Sequence, residues 1–211
     1  NVIEIPASLV NTTYFYHVTC IMANIANILN KKDDENELRI LARTIKRNFN
    51  IAFYNEVTHH YWEGKQGADV FALAFGLVPE SDRKKVFAAL LEHLEKINYH
   101  FDTGILATPL LLKVLTENGR ADLAYRVMNQ RDFPSYGYLA DKKNNTLWET
   151  WNGDGNDEGC GHCHPMFGSV VAWFYNSLAG IKPDLSNPGM KHFYVEPVII
   201  TSLKYCKATY D

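Results

Sequence analysis

Apolar side chains recur along residues 8–29 at Tyr14, Val18, Ile21, Ile25 and Ile28. Steps of four and three residues put them on one helical face, with Ser8 placed to cap the helix. The polar run Asn30 to Asn36 predicts a turn, with Asp33 or Asp34 capping a second helix. That helix carries one stripe, Leu38, Leu41, Ile45 and Phe49. Ala68 to Leu77 is apolar all round. Pro79-Glu80-Ser81 opens a fourth helix with the stripe Val86, Phe87, Leu90, Leu91 and Leu94. Thr103 to Leu115 is again apolar nearly all round, with Pro109 near its start and Asn118-Gly119 ending it. Ala121 to Met128 is short and amphipathic, and Phe167 to Leu178 is mostly apolar up to Gly180. About seven helices in antiparallel pairs are therefore expected.

Helices apolar on every side are buried, and one-stripe helices lie at a surface. Here the two kinds alternate, the order required by an inner ring of helices inside an outer one. The pattern predicts a mainly α fold, an α/α toroid or an arc of one, with an α-solenoid as second choice. Between the sixth and seventh helices, Phe133-Pro134-Ser135-Tyr136-Gly137-Tyr138 combines turn residues with aromatics. Thr146 to Trp151 is β-branched and aromatic and reads as a short extended segment. Side chains alternate in such a segment, so Glu149 and Trp151 are expected on one side, Trp148 and Thr150 on the other. Past Pro183, Phe193-Tyr194-Val195 and Val198-Ile199-Ile200 predict one or two strands, the root of a β-domain.

Composition narrows the function classes. The 211 residues are 46% hydrophobic and 21% charged with a net charge of −3. That balance suits a globular core and supplies no basic field for nucleic acid. The longest strongly apolar run, Val70 to Val78, is too short to span a bilayer. No signal-peptide pattern is visible, and the opening Asn1-Val2-Ile3 leads us to expect a longer parent polypeptide. Cys20, Cys160, Cys163 and Cys206 are too few for a disulfide scaffold.

Candidate chemistry gathers between Thr146 and Gly168. Glu149 sits among Trp148 and Trp151, a carboxylate beside indoles; it reads either as a base or sugar ligand, or as a solvated strand-edge residue. Cys160, His162, Cys163 and His164 are all metal-ligand types. Four ligands within five residues cannot easily wrap one tetrahedral ion, and His59-His60 is the only other candidate pair, so no metal and no cofactor are expected. The Cys160-to-Cys163 spacing also spells a dithiol motif, but the helical context lacks the βαβ unit such a motif needs. Asp154, Asp157 and Glu158 read as a solvated loop. His100, ahead of Phe101-Asp102-Thr103-Gly104, either lines a pocket mouth or is a hydrogen-bonded structural histidine.

Several blocks occur together in one order: Asp102-Thr103-Gly104-Ile105-Leu106, Leu115-Thr116-Glu117-Asn118-Gly119, Leu123-Ala124-Tyr125, Pro134-Ser135-Tyr136-Gly137-Tyr138, Thr146-Leu147-Trp148-Glu149, and His164-Pro165-Met166-Phe167-Gly168 with Leu178-Ala179-Gly180-Ile181. In that order they resemble the second half of the catalytic domain of bacterial α-L-rhamnosidases, glycoside hydrolase family 78. The resemblance implies part of an (α/α)6 toroid over residues 1–181, with residues 182–211 starting a C-terminal β-domain. It also implies hydrolysis of terminal α-L-rhamnose with inversion, Glu149 as general base, and His164 hydrogen-bonded to the sugar. Tyr136, Trp148, Trp151 and His100 become candidate pocket residues, Trp151 foremost because it is expected on Glu149's face. The family's general acid belongs to an upstream loop that this chain does not match. Three departures stand out: Lys143-Asn144-Asn145-Thr146 replaces Gly-Ala-Thr-Thr, Cys163 replaces Asn, and Tyr136 replaces Trp.

The implied partners are a rhamnose-containing glycan or glycoside and the rest of the parent polypeptide, with a homodimer plausible because half a toroid exposes inner helices. Neither nucleic acid nor membrane is expected, and a bacterial periplasmic or extracellular setting is favoured. The rival reading is a non-catalytic helical carbohydrate-binding or scaffold module.

Overall fold

The structure, a computed structural model, describes residues 5–142, 146–152, 161–184, 187 and 189–209. The chain divides into two compact units, Val2–Ile97 and Asn98–Asp211.

In the first unit, helices α1 (Ala7–Ile28) and α2 (Lys32–Phe53) form a hairpin. Asn30 makes the turn in the left-handed region at φ 55°. Pro6 and Lys31 flank the helix starts without side-chain caps, so Ser8 and the Asp33–Asp34 pair lie inside the first turns. Asp33, Asp34 and Glu35 there complement the helix dipole. Val18, Ile21, Ile25 and Ile28 are exposed, and Leu9, Thr13, Thr19, Ala23 and Ala26 are buried instead. These mostly small residues allow close helix approach, and α1 packs against α2 and the following buried helix. Tyr14 alone of the expected stripe makes ring contacts inward, edge-on to Phe71 and Phe75 at 5.9 and 5.3 Å.

A small hairpin, β1 (Tyr54–Asn55) and β2 (His60–Tyr61), pairs Tyr54 with Tyr61 and leads into α3 (Gln66–Ala74). Every residue of α3 from Gln66 to Leu73 is buried, as an all-round apolar segment predicts. The one-stripe helix α4 (Arg83–Lys96) packs against it through Val86, Ala89, Leu90 and Leu94.

The second unit opens with an irregular segment and then α5 (Thr108–Glu117), which starts five residues later than Thr103. Pro109 lies in its first turn, where a missing N–H costs nothing. Thr103 and Thr108 hydroxyls bond at 2.8 Å and fix the entry. Helix α6 (Ala121–Met128) returns along α5 at its expected bounds, burying Leu123, Ala124 and Val127. Residues read only as a turn contain a further short helix, α7 (Tyr136–Asp141), capped by Ser135 accepting from the Tyr138 N–H at 3.0 Å.

The expected helix Phe167–Leu178 is broken into α8 (Pro165–Gly168), α9 (Val171–Trp173) and a π-helical turn, Phe174–Leu178. It stops at Gly180, φ 74°, where a Cβ would lie 2.2 Å from the Glu196 carbonyl carbon, so only glycine fits. Strands β3 (Ile181–Pro183) and β4 (Phe193–Val195) pair antiparallel. Val198 to Ile200 forms no strand; the Val198 N–H bonds Ser177 O at 3.0 Å instead. Among the described residues, no helix is long and apolar enough to cross a membrane.

Candidate active site

Backbone pairing builds the site. The Glu149 N–H donates to Gly161 O at 2.9 Å, and the His164 N–H donates to Leu147 O at 2.8 Å. The Thr146 hydroxyl adds a bond to His162 O. Two stretches twelve or more residues apart thus run side by side, which brings Glu149 and His164 together. Between them lies Gly161. Its N–H donates to Glu149 Oε2 at 3.0 Å. A Cβ on Gly161 would stand 3.3 Å from that oxygen and 4.0 Å from His164 Cδ2. Glycine therefore holds the carboxylate and leaves open the space that both side chains border. The sequence contains no spacing signal for this role, because the contact joins distant residues through the backbone.

Glu149 Oε1 has no hydrogen-bond partner among the described residues, and it is free to accept a proton or a hydroxyl. His164 Nδ1 is buried and also lacks one there. A buried, unpaired ring nitrogen costs ~1–3 kcal/mol, which a polar ligand can recover.

The extended reading of Thr146–Trp151 is corrected. Residues 149–152 bend and turn, so strand alternation does not set which way side chains point. Trp151 is 4% exposed. Its ring stacks on Phe101 at 5.2 Å and meets Phe167 at 4.3 Å, and its Nε1–H donates to Thr103 O at 2.7 Å. Trp148 is also buried and stacks on His162 at 5.1 Å. Tyr136 stands edge-on to Trp151 at 5.2 Å and donates its hydroxyl to Phe167 O at 2.9 Å; burial pushes its phenol pKa up. Phe101 and Phe167 complete this aromatic box, and the sequence reading did not single them out. Their separation along the chain hides a cluster that only tertiary contact forms.

His100 is buried, with Nε2 2.9 Å from Asp132 Oδ1. The hydrogen bond from His100 holds the Asp132 carboxyl below the usual carboxylate range. Of the two readings left open for His100, this contact fits the hydrogen-bonded structural histidine. His162 and Cys163 are exposed, and the Cys163 thiol is free. Cys160, Asp154, Asp157, Glu158 and Lys143 to Asn145 lie outside the described residues. Among the described residues, no three His, Cys, Asp or Glu side chains gather in metal-binding geometry.

Residues 4–178 match the family model described as the bacterial alpha-L-rhamnosidase 6 hairpin glycosidase domain. The chain belongs to that family. It shares the family's fold class, being mainly helical and part of an (α/α)6 toroid. The α-L-rhamnosidase of Streptomyces avermitilis is 35% identical over 205 residues, covering 92% of this chain and 19% of that protein. The α-L-rhamnosidase of Alteromonas sp. (strain LOR) is 30% identical over 210 residues, covering 96% and 22%. A crystal structure of the Streptomyces enzyme complexed with L-rhamnose superimposes with a TM-score of 0.84 at 34% identity, over 93% of this chain and 19% of that one. The α-L-rhamnosidase structure from Dictyoglumus thermophilum gives 0.77 at 38% identity, over 81% and 19%. This six-hairpin glycosidase segment thus spans about a fifth of the length of the curated relatives it matches.

Proposed function

We propose that this segment supplies the general base and part of the sugar pocket of an inverting α-L-rhamnosidase. The observation that carries the reading is the convergence of Glu149 and His164 across Gly161, with one carboxylate oxygen held and the other unpaired among the described residues. Glu149 takes a proton from water as that water attacks the anomeric carbon, from the face opposite the leaving group. A second carboxyl group, ~6.5–9.5 Å away, protonates the departing oxygen. No match to that acid loop occurs in these 211 residues, and we assign it to the remainder of the polypeptide. His164 offers a ring nitrogen to the sugar hydroxyls. The box of Trp151, Tyr136, Phe101 and Phe167, with Trp148 on His162, stiffens the loop that carries Glu149.

We keep residues 1–181 as the catalytic portion and 182–211 as the start of a β-domain. A bacterial periplasmic or extracellular location and a homodimer remain part of the same proposal. The test uses the enzyme that contains this segment. It should hydrolyse an aryl α-L-rhamnoside and release β-L-rhamnose first, read by NMR of the fresh product. Glu149→Gln should lower kcat by ~10²–10⁴-fold with rhamnose affinity preserved, since the base acts in the transition state. Near-normal turnover by that variant would move the base role to another carboxylate. Rhamnose binding without turnover in the unsubstituted enzyme would favour the non-catalytic binding module.

A further inference from the structure

The four tryptophans behave in two ways. Trp148, Trp151 and Trp173 are 7%, 4% and 5% exposed. Each has a defined partner: Trp148 stacks on His162, Trp151 donates to Thr103 O, and Trp173 donates to Thr116 Oγ1 at 2.8 Å. Trp62 differs in every respect. It is 41% exposed. Among the described residues it has no ring partner, and its indole N–H has no acceptor. Its backbone sits in the left-handed region, φ 53°, which a bulky L-residue rarely adopts.

The surrounding chain enforces that conformation. Tyr61, immediately before it, is fully buried; its N–H donates to Asp69 Oδ1 at 2.7 Å and its hydroxyl to Asn50 Oδ1 at 2.6 Å. The Tyr61 ring stacks on Phe49 at 5.4 Å. His60 Nδ1 lies 2.7 Å from Asp69 Oδ2. The Trp62 N–H donates to Phe53 O at 2.8 Å, and Gly64, φ 73°, packs so closely on His60 that a Cβ there would stand 3.2 Å from the ring. A rigid frame thus holds Trp62, like His59 (φ 57°) in the same hairpin, in the left-handed region, and leaves the Trp62 side chain exposed. Among the described non-glycine residues at positive φ, Trp62 combines that backbone with a large exposed apolar ring, and such a combination held by a rigid frame motivates a functional reading.

We propose that Trp62 is a carbohydrate-stacking platform, a glycan-binding subsite on the Val2–Ile97 unit. An indole pairs an apolar face with one polar donor, the combination that a hydroxylated ring presents in reverse. Glu63, exposed beside it, can accept hydroxyl hydrogens. A protein-docking surface requires a contiguous apolar patch, whereas the neighbours of Trp62 in sequence are polar or charged apart from the buried Tyr61. The ligand class rests on the glycosidase reading above; the site itself rests on Trp62.

The test is calorimetric titration of the intact enzyme, made inert by Glu149→Gln, with a trisaccharide ending in α-L-rhamnose. Trp62→Gly and Trp62→Ala should each weaken the Kd by ~tenfold or more, the size of one good stacking contact. Trp62→Tyr should recover most of the loss. Because glycine accepts φ 53° and alanine does not, Trp62→Gly should melt ~2–4 °C above Trp62→Ala, although both bind equally poorly. Hydrolysis of an aryl α-L-rhamnoside is measured on the unsubstituted enzyme, so a failure of catalysis there is read separately from a failure here. An unchanged trisaccharide Kd in Trp62→Gly would overturn the proposal. So would an unchanged Kd together with loss of an oligomer in sedimentation, which would make Trp62 a protein contact.

Discussion

Two of the histidine–carboxylate pairs in this molecule, His60 with Asp69 and His164 with Glu149, are put to opposite ends. In the first unit, His60 and Asp69 bond directly at 2.7 Å, Asp69 is fully buried, and its other oxygen takes the Tyr61 N–H. In the second unit, Glu149 and His164 border a common space across Gly161, with one carboxylate oxygen and one ring nitrogen unpaired among the described residues. The first pair satisfies itself and fixes a hairpin. The second is held in position by backbone and, among the described residues, left unsatisfied, which is the condition for binding something else. What separates a structural pair from a candidate site here is where the hydrogen bonds end, not the residues involved.

Removing one carboxylate from each pair should break the symmetry most sharply. Asp69→Ala strips Tyr61 and His60 of their shared acceptor inside the unit, and should destabilise it by ~2–4 kcal/mol. Glu149→Ala should cost under ~1 kcal/mol, as expected for a group with a single internal bond. Urea unfolding of both variants measures the difference; equal losses would end the distinction.

A smaller change sharpens the second pair. Gly161→Ala puts a methyl 3.3 Å from Glu149 Oε2. It should lower the enzyme's kcat by ~tenfold while KM moves less than about threefold, because misplacing the base harms the transition state more than sugar binding. A rise in KM alone would instead mark Gly161 as a wall of the sugar pocket.

The smallest expected effect is pH dependence in the first pair. The Asp69 hydrogen bond raises the His60 pKa above its ordinary value, and burial raises that of Asp69. Both groups hold protons more tightly when folded, so stability falls as pH rises. For His60 the contribution is full below ~6.5 and is lost as pH climbs through the raised folded value. Partial exposure of His60 keeps the loss under ~1 kcal/mol. Melting temperatures from pH 6 to 8.5 should decline, and His60→Gln should flatten the slope.

Sequence periodicity by itself determined the alternation of buried and one-stripe helices, clearest in α3 and α4, and the bounds of α6. Ordered short blocks determined the family and singled out Glu149 and His164. Both are local records, written in spacing along the chain. Tertiary structure decided what depends on distant partners. It chose the small-residue face of α1 over its larger apolar stripe, because periodicity finds apolar faces but not what covers them. It packed Trp151 into a box with Phe101, Tyr136 and Phe167, residues separated by up to 66 positions. It broke the last predicted helix at a π-helical turn. It also set Gly161 between the candidate base and the candidate sugar ligand, and left Trp62 alone among the tryptophans facing outward. Each of these outcomes is fixed by long-range contact and hydrogen-bond satisfaction, which no local pattern encodes.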